Sequence, residues 1–291
     1  MAELSSDGSW LTKDGKPLPL PKGKALERMA DGMKLVMPRP ARLSHPQVQT
    51  QRLIGSLKFI EKVHPKLSLI LHRLSCVMAS PPPEAWDVAR AALFMVWRDS
   101  YGGITFGGDA LSPPRLGGDL RADIDLEQPA PHELEAHADA TWSDINIYGL
   151  LITYHGGAIL HQTKKISVHV DSSMETEAIA SSKAGEAISY GREIFRAFGV
   201  LDDTPTLLTT DNLLNQKVGS GVGSPTRSKH FLRRYFALQQ RIAGGELALK
   251  YTPDPSMPAD FLTKWIPRPK LLRSLAYATN SRHAVGADGS A

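Results

Sequence analysis

The stretch Glu133-Leu134-Glu135-Ala136-His137-Ala138-Asp139 decides the fold, because small apolar residues alternate with polar ones along it. A period of two predicts a half-buried β-strand with Leu134, Ala136 and Ala138 facing a core. The strand ends at Asp139, so it would present an acidic side chain at one edge of a sheet.

Further short strands follow Asp139 along the chain. Residues 147–154 and 158–162 read as a pair of strands joined by a tight turn, and residues 206–210 and 247–251 as two more. Helical stretches separate the later strands, which predicts an α/β domain rather than an all-β one. The strand at 206–210 would place Asp211 at its end.

A long helix is predicted between the third and fourth strands. Ser172-Ser173-Met174-Glu175 is a capping box that begins this helix, which runs to about Phe198, where Gly199 stops it. Two residues along a helix turn a side chain by about 200°, so Glu175 and Glu177 cannot face the same way. We assign Glu175 to the cap and Glu177 to a candidate site.

Two more helices are predicted towards the C-terminus. Residues 230–244 carry an apolar face, and residues 258–262 begin with proline and open a final helix that carries Asp260. Trp142, Phe231 and Tyr235 could stack on nucleotides, although packing in the core is the expected use of their rings.

The sequence is predicted to divide into five regions. They are a flexible leader over residues 1–44, a helical region over 45–101, a Gly/Pro-rich linker over 102–131, the α/β domain over 132–275 and a disordered tail over 276–291. Within the helical region, Pro65 interrupts the helical spacing of apolar residues, and three prolines precede the last helix.

Composition excludes several classes of protein. The 291 residues are 42% hydrophobic, enough for a sizeable core, and Cys76 is the sole cysteine, which excludes an internal disulfide and a cysteine-based zinc site. We find no signal peptide and no apolar run of membrane-spanning length. The protein is therefore expected to be soluble and intracellular, in the cytoplasm or nucleus, with no membrane or disulfide-linked partner.

Charge is unevenly distributed, although the formal net charge is only +4. Residues 117–144 contain eight acids and one base, and residues 212–273 contain eleven bases and three acids. The basic segment could follow a phosphate backbone, or it could be an ordinary solvated surface.

Four acidic residues belong to four different local motifs, and only a folded domain could bring them together. They are Asp139, Glu177, Asp211 and Asp260. Convergent carboxylates repel one another unless cations lie among them, and the lack of a Cys or His pattern favours Mg²⁺ or Mn²⁺, which suits phosphodiester chemistry. Each acid taken singly also fits a solvated strand end, a turn or the first turn of a helix.

Five segments, in this order along the chain, resemble the RNase H domain of Copia-type retrotransposon Pol polyproteins. They are Asp139-Ala140-Thr141-Trp142, the run from Ser172 to Glu177, Thr210-Asp211-Asn212, Arg227-Ser228-Lys229-His230 and the run from Ala259 to Lys264. The resemblance implies an α/β, RNase H-like fold, which is a mixed five-stranded sheet flanked by helices and preceded by a small helical subdomain. Thr141 departs from the family pattern, which has a second acid there.

The resemblance also extends upstream of the α/β domain. Gln51-Arg52-Leu53-Ile54-Gly55-Ser56-Leu57 and Pro82-Pro83-Glu84-Ala85-Trp86 resemble the connection region at the end of the reverse transcriptase in such polyproteins. The coverage is roughly residues 45–275. The polymerase's Tyr-Val-Asp-Asp type motif is absent, so this chain is not expected to synthesise DNA.

The resemblance implies a metal-dependent endoribonuclease that cuts the RNA strand of RNA:DNA hybrids with two Mg²⁺ ions, or Mn²⁺ as a substitute. Asp139 would bridge the ions, Glu177 and Asp211 would hold one of them, and Asp260 the other. A reverse transcriptase polymerase region is a possible partner. The residues expected to contact nucleic acid are Arg227, Lys229, His230, Arg233, Arg234 and Lys264.

Two other functions stay open at this point. The chain could be an inactive or repurposed retrotransposon remnant that binds nucleic acid through residues 212–273. It could also act as a protein-interaction module built on the helices of residues 47–101.

Overall fold

The structure, a computed structural model, describes residues 3–4, 10–11, 44–98, 103–106, 134–201, 203–221 and 232–280. The chain divides into two compact units, residues 1–59 with 73–99 and residues 60–72 with 100–291. Residues 60–72 therefore belong with the α/β domain rather than with the predicted helical region. His161 in the sheet explains this, because its ring bonds the Ser68 hydroxyl at 2.9 Å and the Lys62 carbonyl at 3.2 Å.

The N-terminal helical region has the predicted helices. They are α1 (His45–Glu61), α2 (Ser68–Cys76) and α3 (Pro83–Arg98), with a 3₁₀ turn at Pro65–Leu67. Proline at the first position of that turn and of α3 costs no hydrogen bond. In the first unit, the Gln51 side chain donates to the Met78 carbonyl at 2.8 Å and ties α1 to the segment before α3. Residues 3–4 and 10–11 form a short antiparallel ladder.

A mixed five-stranded sheet forms the centre of the second unit, in the order β3-β2-β1-β4-β5. Its strands are β1 (Leu134–Thr141), β2 (Ile147–Tyr154), β3 (Gly157–Lys165), β4 (Thr206–Thr210) and β5 (Leu247–Tyr251). The first three pair antiparallel, whereas β4 and β5 run parallel to β1. The predicted fold class, a mixed five-stranded sheet flanked by helices and preceded by a helical region, is confirmed.

Helices cover both faces of this sheet. They are α4 (Ser173–Ala197), α5 (Leu213–Gly219), α6 (Leu232–Ala243) and α7 (Arg268–Thr279). The main core lies between α4 and the face of β1 that carries Leu134, Ala136 and Ala138. A second core forms on the other face, where Leu151 packs with Leu262 and Tyr277.

Strand β1 is buried on both faces, so the prediction of a half-buried strand is wrong. Its polar residues Glu135 and His137 lie under α7, where Tyr277 donates a hydrogen bond to Glu135 and its hydroxyl lies 2.8 Å from His137 Nε2. His137 Nδ1 lies 2.6 Å from the hydroxyl of Thr209 on β4. Buried polar groups are tolerated when they are paired in this way, so alternation in β1 reflects a polar network rather than solvent.

The end of the α/β domain differs from the prediction in two ways. Residues 258–262 do not open the final helix, because Asp260–Leu262 form a single 3₁₀ turn and Pro267, which has no N–H, stops any continuation before α7 begins at Arg268. Helix α7 also passes the predicted boundary at 275, and residues 276–278 are buried in the second core. Tail residues 281–291 lie outside the described residues.

Most of the predicted leader and linker also lies outside the described residues. Within the linker, residues 103–106 are described, and the Thr105 N–H donates to the Thr279 carbonyl at 2.9 Å, so this short piece packs against the end of α7. Among the helices that the structure describes, none combines the length and apolar character needed to cross a bilayer.

Candidate metal centre

Two of the four predicted acids come from the ends of neighbouring parallel strands. His137 of β1 pairs with Thr209 of β4, so Asp139 and Asp211, each two residues further on, emerge in step at one edge of the sheet. Asp139 is fully buried and the Asp211 side chain is 13% exposed. The register of a single strand pair therefore brings two acids together that are 72 positions apart in sequence.

Asp260 reaches the same edge on the 3₁₀ turn, which lies across β2 at Gly149. Gly149 stands directly opposite Asp139 in the ladder, and a Cβ placed there would come within 2.6 Å of Leu262 Cβ. On the other side of β2, the Thr163 hydroxyl donates to the Leu262 carbonyl at 2.6 Å. Glycine thus leaves the room that lets the turn approach, and threonine fixes it there.

The same turn supplies the hydrogen bonds that hold Asp139. The Thr263 hydroxyl donates to Asp139 Oδ2, and the Thr141 hydroxyl donates to the Thr263 carbonyl at 3.3 Å. Thr141, the residue that departs from the family pattern, therefore braces the turn.

Glu177 is delivered by the first turns of α4, as predicted. The Ser172 hydroxyl accepts the Glu175 N–H at 3.3 Å, and Glu175 Oε2 accepts the Asp171 N–H at 2.5 Å, so Glu175 serves the cap. Glu177 points instead at the end of β1, where its Oε1 accepts the Ala140 N–H at 3.3 Å. The division of roles between Glu175 and Glu177 matches this geometry.

Asn215 joins the elements that carry Glu177 and Asp211. It lies in α5 and is fully buried. Its side-chain nitrogen lies 2.8 Å from the Ser181 hydroxyl on α4, 3.2 Å from the Thr210 hydroxyl on β4 and 3.4 Å from the Glu177 carbonyl. Asn215 is a positioning residue that the sequence analysis missed, because a single Asn gives no motif.

The structure brings all four predicted acids to this edge, in two overlapping groups. Oxygens of Asp139, Glu177 and Asp211 all lie within 4.8 Å of one another, and so do oxygens of Asp211, Asp254 and Asp260. We call these the first and second triads. Asp254 is an acid that the sequence analysis did not select, because it belongs to no segment of the resemblance.

Burial, and secondarily the closeness of other acids, shifts the pKa values of these acids. Burial raises the pKa of Asp139 to about 7, Lys264 opposes the shift, and Asp260 and Asp211 add to it. Burial, then Asp139 and Asp211, raise the pKa of Glu177 well above its ordinary value. Burial also raises the pKa of Asp211 against the attraction of Lys264. Proximity of like charges and desolvation both favour the neutral acid, so a cation is needed to keep the group ionised.

Lys264 already contributes one cationic group. Its Nζ lies 3.1 Å from Asp139, 3.2 Å from Asp260, 3.6 Å from Asp211 and 4.0 Å from Asp254. Burial by itself would lower the pKa of Lys264, but Asp139, Asp260 and Asp211 outweigh it and raise the pKa. Lys270 forms ion pairs with Asp260 and Asp254.

The donor set fits a divalent metal ion. Glu177 is 6% exposed and its Oε2 is buried without a hydrogen-bond partner, which is costly for a carboxylate that stays charged. The triads offer only carboxylate oxygens, the ligands that Mg²⁺ and Mn²⁺ prefer.

The residues predicted to contact nucleic acid are only partly described. Arg227, Lys229 and His230 lie outside the described residues, while Arg233 is exposed and Arg234 half-buried near the start of α6. Lys264 lies among the carboxylates, so its role toward nucleic acid stays a prediction.

The aromatic residues divide between surface and core. Tyr235 is buried in the core as expected, Phe231 lies outside the described residues, and Trp142 is 56% exposed just beyond β1. The expectation of core packing is therefore wrong for Trp142, which lies just after β1 ends at Thr141.

Comparison with known proteins finds that the chain is similar to retrovirus-related Pol polyproteins from transposons. The chain is 22% identical over 246 residues to a retrovirus-related Pol polyprotein from transposon RE2 of Arabidopsis thaliana, and 24% identical over 222 residues to one from transposon TNT 1-94 of Nicotiana tabacum. These matches cover 82% and 75% of this chain, but the chain spans only 15% of the length of each relative. The predicted resemblance to transposon Pol polyproteins is confirmed.

Solved structures similar to this chain include RNase H proteins. RNase H1 from Halobacterium salinarum NRC-1 is 17% identical, with 44% of this chain and 90% of that chain covered and a TM-score of 0.35. LC11-RNase H1, solved in complex with an RNA/DNA hybrid, is 18% identical, with 45% and 93% covered and a TM-score of 0.34. No protein-family model matches the chain.

Proposed function

We propose that the protein is a metal-dependent endoribonuclease that cleaves the RNA strand of RNA:DNA hybrids, and that it derives from a Copia-type retrotransposon. One observation carries the proposal, namely that acids from four separate elements meet at one edge of the sheet. Burial of mutually repelling carboxylates is energetically unfavourable unless cations bind among them. The similarity to transposon Pol polyproteins over 82% of the chain supports the same activity.

Each residue has a definite role in this proposal. Asp139, Glu177 and Asp211 would hold one Mg²⁺ or Mn²⁺ ion, and Asp260 would hold a second ion with Asp211 and Asp254. The resemblance implied that Asp139 bridges the two ions, whereas the two oxygen groups favour Asp211 as the shared ligand. When bound, two such ions activate a water molecule and stabilise the leaving oxygen of an in-line displacement at phosphorus.

The protein itself contributes rigidity and binding. Thr263 orients Asp139, and the buried Asn215 fixes the spacing of α4 and β4. The predicted basic residues Arg227, Lys229, Arg233 and Arg234 would hold the hybrid through its phosphates, because an A-like duplex is recognised mainly by backbone shape and 2′-hydroxyl groups.

The direct test is cleavage of a labelled RNA:DNA hybrid by the purified protein in Mg²⁺ and in Mn²⁺. We expect cutting of the RNA strand and its loss in Asp211→Asn, which removes a ligand shared by both triads. Asp203→Asn is the matched control, because Asp203 is exposed and outside the site. Circular dichroism checks that each variant is folded.

Two results would contradict the proposal. A hybrid left uncut in both metals would exclude the activity, and binding of that hybrid without cutting would instead support an inactive remnant that binds nucleic acid. Wild-type cleavage by Asp211→Asn would place the chemistry at another site.

A further inference from the structure

The main chain of Lys264 is held in place by the contacts of the turn that precedes it. It follows Asp260 by four residues on the turn that Gly149 admits and Thr163 holds. The Lys264 N–H also donates to the Asp260 carbonyl at 2.9 Å. The backbone of Lys264 is therefore held beside Asp260, while its side chain is 33% exposed and can move.

The two triads differ in how far lysine neutralises them. Every acid of the second triad lies within 4.0 Å of the Lys264 ammonium, and Lys270 adds ion pairs to Asp254 and Asp260. In the first triad, Lys264 lies 3.1 Å from Asp139 and 3.6 Å from Asp211, but Glu177 forms no ion pair with either lysine and keeps a buried Oε2 without a hydrogen-bond partner. Glu177 is therefore the carboxyl group of the two triads that the lysines compensate least.

The sum of formal charges also indicates that a first divalent ion binds more readily than a second. When all five carboxyl groups of the two triads are ionised, as metal ligands must be, the ammonium groups of Lys264 and Lys270 leave three negative charges. Binding of one divalent ion would leave one negative charge. Binding of a second ion would leave one excess positive charge unless an ammonium group moved away. Repulsion between close cations is strong in a partly buried site.

We propose that Lys264 is an internal counter-ion of the second triad, so that the first divalent ion binds beside Glu177 and a second binds only by displacing the Lys264 ammonium. The inference rests on the proposed metal-dependent function and deepens it. It gives Lys264 a role in setting the affinity of the second ion, in addition to any contact with nucleic acid.

Calorimetric titration with Ca²⁺ and with Mn²⁺, without nucleic acid, tests the proposal. We expect two binding events in the wild-type protein, with the second at least tenfold tighter in Lys264→Met and near the wild-type value in Lys264→Arg, which keeps the charge. Lys183→Met is the matched control, because Lys183 pairs with Glu186 on an exposed part of α4. Glu177→Gln should weaken the first event.

A second measurement uses the wild-type protein alone. Amine-reactive labelling followed by mass spectrometry should show Lys264 labelled slowly without metal and several-fold faster over the range of Ca²⁺ that fills the second position. Lys183 should label at an unchanged rate and serves as the internal control.

The outcomes separate the two proposals. A folded Lys264→Met with wild-type affinity for both ions, or Lys264 labelling that ignores Ca²⁺, overturns the counter-ion role and leaves the nuclease proposal standing. Absence of any binding by the wild-type protein overturns the metal centre, and the counter-ion role with it. If Lys264→Met does not fold, the labelling result decides.

Discussion

Substitution of Gly149 by alanine should damage the site from a distance. The added methyl group would lie 2.6 Å from Leu262 Cβ and 2.9 Å from Thr263 Cγ2. Carbon atoms pack at about 3.5–4.0 Å, so one of the two backbones must move by about 1 Å. Leu262 Cβ cannot rotate away, because its position is set by the backbone of the turn that carries Asp260 and Lys264.

The size of the effect follows from this displacement. Overpacking of a tight contact costs about 1–3 kcal/mol, against about 0.5–1 kcal/mol gained because alanine suits a strand better than glycine. We therefore expect Gly149→Ala to lower the free energy of unfolding by up to about 2.5 kcal/mol. A misplacement of about 1 Å in a catalytic group can lower the rate about 10²-fold, so cleavage should fall by that factor in protein that is still folded.

Urea unfolding and hybrid cleavage in Mg²⁺ measure the two effects separately. Gly191→Ala is the matched control, since a Cβ there meets Leu134 at an ordinary 3.8 Å and lies within helix α4. That variant should be as stable as the wild type or about 0.5–1 kcal/mol more stable. Wild-type stability and cleavage in Gly149→Ala would refute the argument that the turn depends on this glycine.

Two further predictions concern ionisation and positioning. The pKa of Asp139 is raised to about 7 in the folded protein, so its contribution to metal-free stability is present at about pH 4 and is lost as the pH rises through 7. The affinity for Mg²⁺ should rise over the same pH range, because the ligands must be ionised. Thermal melts with and without Mg²⁺ at several pH values check the direction of both changes. Asn215→Ala should lower the free energy of unfolding in urea by about 1–3 kcal/mol and weaken Ca²⁺ binding, because α4 and β4 lose their shared hydrogen-bond partner. Unchanged Ca²⁺ affinity would show that Asn215 does not position the site.

The sequence was sufficient to predict the parts of the fold that are governed by local pattern. Residues 147–154 were predicted as a strand and form β2 over the same range, and the capping box fixes the start of α4. Glu177 could be separated from Glu175 because helix geometry assigns them to different directions. These features depend on interactions within a few residues of each other.

The remaining features depend on contacts between distant segments. Burial of both faces of β1 results from α7, more than 120 positions away, and the pairing of His137 with Tyr277 has no local signature. The turn at Asp260 resembled a helix start because Pro258 precedes it, yet Pro267 decides where helix can begin. Asp254 and Asn215 were missed since neither stands in a recognisable motif.

The arrangement of the site links its stability to its ligand. Asp139, Gly149 and Thr163 form one row across three strands, and the turn that lies on this row brings an acid and a base, Asp260 and Lys264, to the same place. Lys264 stabilises the metal-free protein, because each unpaired buried carboxylate would lower the free energy of unfolding by several kcal/mol. The same lysine must then oppose the ion that the carboxylates attract. Ligand that binds only the folded form raises stability by mass action. Because Lys264 competes for the carboxylates, a divalent ion should stabilise this protein less than it would stabilise the same site without the lysine.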